Sequence, residues 1–176
     1  MASGSDLVEI LIKLLAEVER RNNEYALAGG WAFSVLVEPR ATTDIDLLIL
    51  QDSPSQEAIR SLASSVLTPT IVHSAPMNLK HISMWRCIGL HDMQEVIIDF
   101  LLADSPFLKS ALARRQQIAL GNQLVATLTL EDLMLMKMLA GRLQDQADLE
   151  KIDECKEDLQ IDWSYIDQWK AALGLK

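Results

Sequence analysis

The chain has 176 residues, a hydrophobic content of 49% and a formal net charge of −9. This length suits one domain, or one core with an appendage, and no apolar run reaches the roughly 18 residues of a membrane span. The negative charge argues against a broad nucleic-acid-binding surface, although it leaves room for a local basic patch.

The cysteines, the histidines and the first residues of the chain bear on its compartment. Cys87 and Cys155 follow no disulfide-framework pattern, and His73, His81 and His91 lack zinc-ligand spacing. The first six residues lack a basic region followed by an apolar one, so we recognise no secretory signal. We therefore expect a soluble cytoplasmic protein with reduced thiols.

Apolar periodicity and turn residues predict alternating helices and strands. Ser53-Pro54, Ser105-Pro106 and Thr129 are typical helix starts. Strands dominate up to residue 128, which favours an α+β core over residues 1–128 with a helical extension, residues 129–176, packed on it. In chain order we predict a helix over 7–20, a strand over 25–28, a helix over 31–37, a strand over 45–50, a helix over 53–66, strands over 70–72, 82–88 and 96–102, a helix over 105–118, a strand over 124–128, a helix over 129–159 that a break could interrupt, and a helix over 163–173.

The segment Gly29-Gly30-Trp31 follows a predicted strand. Paired glycines in this position most often mark a tight turn. Alternatively, the missing Cβ atoms let a triphosphate approach the backbone, with the N–H groups of the next helix, from about Trp31, facing the phosphates. The segment has neither a phosphate-loop lysine nor a dinucleotide-binding glycine pattern, so a phosphate site here would be of another type.

Asp44 and Asp46 lie two residues apart at the head of an apolar strand, so they share one face of that strand. Adjacent carboxylates repel each other and lose hydration on burial, and a divalent cation relieves both effects. Magnesium takes one or two protein carboxylates and leaves its other positions to water and phosphates. A solvated edge strand or a turn is the alternative, which the apolar continuation over residues 47–50 disfavours.

Asp99 interrupts the apolar run over residues 96–102. A buried aspartate is costly unless it is paired or binds a metal. If its strand lies beside that of Asp44 and Asp46, the three carboxylates converge and can hold two cations about 4 Å apart. The alternative is a structural ion pair with a buried cation such as Arg40.

Lys137 has apolar and small neighbours at helical spacing, and Asp145 and Asp148 follow on the same face. Such a lysine either extends its amine to solvent or points at an anion, and a phosphate site nearby favours the second. Arg40 is either a surface residue or the partner of a carboxylate or phosphate. Glu38 and Glu131 are weaker candidates, and Glu131 is more typical of a charge at a helix start. Three aromatic residues near the C-terminus are expected to pack in the protein rather than to stack on a base: Trp163, Tyr165 and Trp169.

Together these residues resemble the polymerase-β-like nucleotidyltransferase superfamily. Its pattern is a Gly-Gly or Gly-Ser turn, an Asp-x-Asp about a dozen residues later and a third acidic residue on a later strand, which Gly29-Gly30, Asp44, Asp46 and Asp99 match. The chain is similar to the small bacterial minimal or abortive-infection-toxin type, through residues 40–46 and 137–148. The Gly-Gly-Trp segment also resembles small lincosamide and aminoglycoside nucleotidyltransferases. Trp31 replaces the serine of many members, so that hydroxyl contact to phosphate is missing.

This resemblance implies a mixed sheet flanked by helices that binds a magnesium-complexed nucleoside triphosphate such as ATP. An acceptor hydroxyl would attack the α-phosphate and release pyrophosphate. The implied ions are two Mg²⁺, or Mn²⁺ in their place, on Asp44, Asp46 and Asp99, the last of which would also help to deprotonate the acceptor. The implied nucleotide-binding residues are Gly29, Gly30, Trp31, Arg40, Thr43 and Lys137, with Asp145 and Asp148 as additional candidates.

The acceptor is open between a protein, tRNA and an antibiotic-like small molecule. An alternative function keeps the fold without turnover, as a non-catalytic partner in a toxin–antitoxin-type module. If the chain is instead a toxin of the type that it resembles, we expect its protein partner to be an antitoxin encoded nearby. The complete acidic triad disfavours the non-catalytic alternative.

Overall fold

The structure is a computed structural model that describes residues 4–51, 54–79 and 81–175, with side chains from residue 7 onward. Its elements alternate as the sequence predicts over most of the chain. In order they are α1 (Gly4–Arg20), β1 (Glu24–Leu27), α2 (Gly29–Leu36), β2 (Asp44–Leu50), α3 (Gln56–Ala63), β3 (Thr70–Val72), β4 (Met77–Leu79), β5 (Ile82–His91), β6 (Gln94–Leu102), α4 (Pro106–Ala113), β7 (Gln116–Leu120), β8 (Gln123–Thr127), α5 (Leu130–Ala140), α6 (Leu143–Glu154), a 3-10 turn (Lys156–Asp158) and α7 (Trp163–Leu173).

The strands form one mixed sheet in the order β3-β5-β6-β2-β1-β8-β7, with β4 paired to β5. β2 runs parallel to β6 and β1 parallel to β8, whereas the other neighbours are antiparallel. Apolar residues on both faces of the central strands form two clusters, one with α1 and α3 and one with α4, α5 and α7. This confirms the expected mixed sheet flanked by helices. No helix in the described ranges is long and apolar enough to cross a membrane.

The predicted helix over residues 105–118 is too long. α4 ends at Ala113, and the following Gln116–Leu120 segment pairs with β8 as strand β7. Its glutamine, alanine and leucine residues favour helix, but pairing with a neighbouring strand overrides that weak preference. Gly121 makes the tight turn between the two strands with φ of +60°. The sequence also failed to predict β4, which forms only as a short partner of β5.

The helix expected to begin at Ser53-Pro54 begins two residues later. Ser55 is its N-cap, with the hydroxyl accepting a hydrogen bond from the Ala58 N–H at 3.1 Å. Ser53 lies outside the described residues. The side-chain cap satisfies one of the N–H groups that a helix start leaves without a partner, so the start follows the better-placed serine.

The predicted helix over residues 129–159 is interrupted at Gly141. This residue has φ of +62° and ends α5, its N–H donating to the Lys137 carbonyl at 2.9 Å. α5 is buried over most of its length and belongs to the same apolar cluster as β1 and β2. α5 thus packs as part of the core. The division into a core over residues 1–128 and an extension over residues 129–176 stays a prediction.

The last helix packs against α4 and α5. The Trp169 ring meets Phe107 edge-on at 5.2 Å, and Arg114 lies 3.5 Å from the Tyr165 ring centre. The Tyr165 hydroxyl donates to buried Asp132 at 2.6 Å. Tyr165 and Trp169 thus pack as expected, whereas the Trp163 side chain is half exposed. Glu131 lies in the first turn of α5, and its carboxylate also accepts a hydrogen bond from the Asp162 N–H at 3.0 Å.

Candidate active site

The parallel pairing of β2 with β6 brings the three aspartates together. Asp46 is the register partner of Asp99, and Asp44 lies two residues before it on the same face of β2. Leu48 and Leu101 continue this face into the cluster under α5. Asp99 is only 2% exposed, whereas Asp44 and Asp46 are partly exposed at the head of their strand. The convergence expected from the sequence is therefore present.

Asp46 is an acidic group whose pKa is strongly raised. Burial, followed by the charges of Asp99 and Asp44, raises its pKa to about 7, against the lowering effect of Arg142 and Lys137. Within the described part of the chain, no side chain pairs directly with the Asp46 carboxylate. An acid with a raised pKa and no counter-ion in a cleft is typical of a functional site.

The glycine pair closes tightly over these residues. Gly29 has φ of +55°, and a Cβ atom there would overlap the Asp46 carboxylate. A Cβ on Gly30 would lie 2.6 Å from the Thr42 hydroxyl oxygen and 3.0 Å from an Arg40 nitrogen. Both glycines are therefore required by the protein's own side chains. The first turn of α2, which they begin, presents its free N–H groups beside the aspartates.

Asp99 already has a cationic partner on the neighbouring strand. Arg86 of β5 lies opposite it in the antiparallel pair, with Nε donating to Oδ1 at 2.9 Å and Nη2 to Oδ2 at 2.6 Å. The hydrogen bonds that Arg86 donates to Asp99 raise the pKa of Arg86, so the guanidinium stays protonated. The partner that we considered for Asp99, Arg40, is wrong, and Arg86 was not singled out from the sequence.

Lys137 is the centre of a buried ion-pair cluster. Its side chain is 4% exposed, and Nζ lies 2.5 Å from Asp148 Oδ2 and 3.7 Å from Asp145 Oδ1. The solvent-directed alternative for Lys137 is therefore wrong. Arg40 also contacts Asp148, at 3.3 Å, which places it as the partner of a carboxylate rather than as a free surface residue.

Arg142 joins this cluster because the helix breaks just before it. Its Nε lies 2.7 Å from Asp145 Oδ2, and its backbone N–H donates to the same oxygen at 3.1 Å. Asp145 thus caps α6 and holds the arginine at once. Arg142 was not singled out as a site residue from the sequence, because helical spacing on the helix expected over residues 129–159 directs it away from Lys137.

Two cavities meet at Asp46. The larger, of about 300 Å³, is polar and contains the Arg40, Lys137 and Arg142 cations. The smaller, of about 50 Å³, lies toward Asp99 and is largely apolar, and it shares Lys137, Arg142 and Asp145 with the larger one. The larger is lined by Gly30, Arg40, Ala41, Thr42, Thr43, Asp44, Asp46, Lys137, Arg142, Gln144 and Asp145. The apolar residues of the smaller are Leu79, Ile82, Met84, Leu101, Leu133, Met136 and Ala140.

The aspartates differ in how well they fit a divalent cation. Asp44 and Asp46 supply oxygen ligands that have no direct cationic partner among the described residues, which suits Mg²⁺ or Mn²⁺. Asp99 has both carboxylate oxygens engaged by Arg86. In the described residues, no three acidic, histidine or cysteine side chains already stand close enough to hold one ion. The pair therefore fits an ion whose other ligands come from substrate and water.

Comparison of the structure with known proteins finds several of the same architecture. The antibiotic-resistance factor ANT(2'')-Ia superposes with a TM-score of 0.65 at 12% identity, covering 97% of this chain and 92% of that one. TM1012 of Thermotoga maritima, described as a nucleotidyltransferase, gives 0.56 at 15% identity, covering 85% and 94%. JHP933 of Helicobacter pylori gives 0.58 at 12% identity, covering 90% and 70%.

The chain has the nucleotidyltransferase fold. By sequence, no family model and no curated protein matches it. A second structure of ANT(2'')-Ia, in complex with adenylyl-2''-tobramycin, matches with a TM-score of 0.55 at 16% identity, covering 94% of this chain and 95% of that one. These identities are low, so the similarity establishes the fold and leaves the chemistry to the residues of this chain.

Within this nucleotidyltransferase fold, the remaining predicted residues divide into two groups. Thr43 is exposed beside the larger cavity, its hydroxyl 3.1 Å from Asp44 Oδ1. The Trp31 side chain instead packs in the core under α1, so only its backbone N–H is available as the nucleotide-binding contact that we expected. Bulk and hydrophobicity place this tryptophan inside the protein.

Proposed function

We propose that this protein is a nucleotidyltransferase that moves a nucleoside monophosphate group from a magnesium-complexed nucleoside triphosphate to an acceptor hydroxyl. The observation that carries the proposal is the convergence of three carboxylates on neighbouring strands beside a cavity with three cations. Carboxylates that bind a metal and cations that bind phosphate are the two components that this chemistry needs.

The larger cavity suits the triphosphate. A divalent ion on Asp44 and Asp46, when bound, supplies positive charge next to the phosphates. Arg40, Lys137 and Arg142 face the same space and stabilise the negative charge that grows on the leaving pyrophosphate. The free N–H groups at the start of α2 add further donors for phosphate oxygens.

The transfer is a single displacement at phosphorus. The acceptor oxygen forms a bond to the α-phosphorus while the bond to the oxygen that bridges the α- and β-phosphates breaks. That oxygen keeps the electron pair and leaves as part of pyrophosphate. Asp99 accepts the hydroxyl proton, since Arg86 occupies one acceptor position on each of its oxygens and each oxygen has a second lone pair.

The smaller cavity suits the acceptor because it lies on the Asp99 side of the shared Asp46. Its lining is mostly apolar, and its charged residues are three carboxylates (Asp46, Asp99 and Asp145) against two cations (Lys137 and Arg142), so it disfavours a group with several negative charges. Of the three acceptor classes, this favours a small molecule or a protein segment over tRNA. The formal net charge of −9 points the same way.

The test is incubation with Mg²⁺, each of the four nucleoside triphosphates and candidate acceptors, followed by mass spectrometry of every component. We expect a mass increase of one nucleoside monophosphate on one acceptor, together with pyrophosphate. The Asp44→Asn variant should lose the reaction, and Asp92→Asn, at a side chain 95% exposed on the β5–β6 turn, should keep it. Equal yields from both variants would refute the assignment.

The Arg86–Asp99 ion pair is the observation that favours the non-catalytic alternative, because it engages the third carboxylate. That alternative predicts no nucleotide transfer under any condition and a stable complex with a partner protein. Co-expression with the neighbouring reading frames, followed by size-exclusion chromatography, would reveal such a complex.

A further inference from the structure

The ion pair between Arg86 and Asp99 is built into the sheet. The two residues are direct register partners of an antiparallel pair, and both guanidinium–carboxylate hydrogen bonds are formed. A planar two-point contact of this kind is stronger and more specific than a single ion contact. Asp99 is almost fully buried and Arg86 about one-third exposed, so the pair replaces much of the hydration that Asp99 loses.

Arg86 makes direct contact with one carboxylate of the triad, and it acts on the other two only through its charge. Its hydrogen bonds go to Asp99, while Asp44 and Asp46 receive no direct cationic contact from the described residues. A divalent ion that used Asp99 would have to displace a guanidinium already held at 2.6 and 2.9 Å. An ion on Asp44 and Asp46 displaces no cation among the described residues, and Asp44 Oδ1, which accepts a hydrogen bond from the Thr43 hydroxyl at 3.1 Å, keeps a second lone pair.

We propose that Arg86 is a fixed cation at the third carboxylate, so that the site takes one divalent ion, on Asp44 and Asp46, and not two. This inference rests on the proposed function, because it assumes that a metal-complexed triphosphate binds. Arg86 touches Asp99 and acts through it, which makes it a positioning residue. Its guanidinium orients the Asp99 carboxylate toward the smaller cavity and supplies the positive charge that a second ion would otherwise bring.

The direct test counts ions. Native mass spectrometry of the full chain, with Mn²⁺ and the α,β-methylene analogues of the four nucleoside triphosphates, should detect complexes with one Mn²⁺ per nucleotide-bound chain. Two ions in the wild-type complex would overturn the inference and leave the proposed function standing. Nucleotide complexes that form equally well without any metal would count against the proposed function itself.

Variants at Arg86 sharpen the count. Arg86→Met frees Asp99 and should raise the number from one ion to two, whereas Arg86→Lys retains a cation and should stay at one. Arg60→Met, on α3 and outside both cavities, is the matched control and should also bind one ion. A count of one in Arg86→Met would overturn the inference. If Arg86→Met fails to fold, the wild-type and Arg86→Lys counts still decide it.

Discussion

Replacing Lys137 with methionine is expected to destabilise the protein, because the lysine amine is buried between two carboxylates. Nζ lies 2.5 Å from Asp148 and 3.7 Å from Asp145. Removing one member of a buried ion pair typically costs about 3–5 kcal/mol. Asp148 retains Arg40 at 3.3 Å and Gln144 at 3.0 Å, so we expect a smaller loss, of about 2–3 kcal/mol in the free energy of unfolding.

Urea denaturation followed by circular dichroism at pH 7 measures this loss. Lys151→Met is the control, since that lysine is 40% exposed and pairs with the surface residues Glu38 and Glu154, and its change should stay within about 0.5 kcal/mol. The double variant Lys137→Met with Asp148→Asn should cost less than the two single changes added together. A loss below about 0.5 kcal/mol for Lys137→Met, or strict additivity, would refute the buried-pair reasoning.

Three further predictions concern the acidic strand, the glycine pair and the last helix. The pKa of Asp46 is about 7 in the folded protein and lower in the unfolded chain, so between these two values the folded state binds a proton that the unfolded state has lost. The free energy of unfolding of the metal-free protein should therefore fall by about 2–3 kcal/mol as the pH rises from 5 to 8. Urea denaturation in chelator should detect this fall in wild type and not in Asp46→Asn; parallel pH profiles would contradict it. Gly29→Ala should lower the melting temperature more than Gly121→Ala. Both glycines have positive φ, but of the two a Cβ atom meets another side chain only at Gly29. Equal decreases in melting temperature would exclude the clash. Tyr165→Phe should cost about 1–3 kcal/mol, because Asp132 loses its 2.6 Å donor, and an unchanged urea midpoint would show that this hydrogen bond contributes nothing.

The convergence of the three aspartates could be predicted because strand alternation is a local property. Asp44 and Asp46 had to share a face, and the apolar residues around Asp99 required a partner for it. The identity of that partner depends on register. Arg86 faces Asp99 because β5 and β6 are joined by the two-residue turn Asp92–Met93, in which both residues have positive φ. Asp-Met is not a typical sequence for such a turn, so the register was not evident.

The cation cluster shows a second limit of sequence reasoning. On one continuous helix, Lys137 and Arg142 would point about 140° apart, given 3.6 residues per turn. Gly141 ends α5 between them, and both side chains then line the same cavity. Helical spacing alone therefore could not associate Arg142 with Lys137, because the direction of the chain after a break is set by packing.

The ion pairs around the cavities also determine which form of a nucleotide the site admits. Asp145 and Asp148 already neutralise most of the charge of Arg40, Lys137 and Arg142, and Arg86 is matched by Asp99. With Asp44 and Asp46 added, the ionised site has one more carboxylate than cation. Under the proposed function, a free triphosphate approaches a site of its own sign, while its magnesium complex, carrying less negative charge, meets a weaker barrier. The site would then discriminate between the two forms by net charge before any phosphate contact is made.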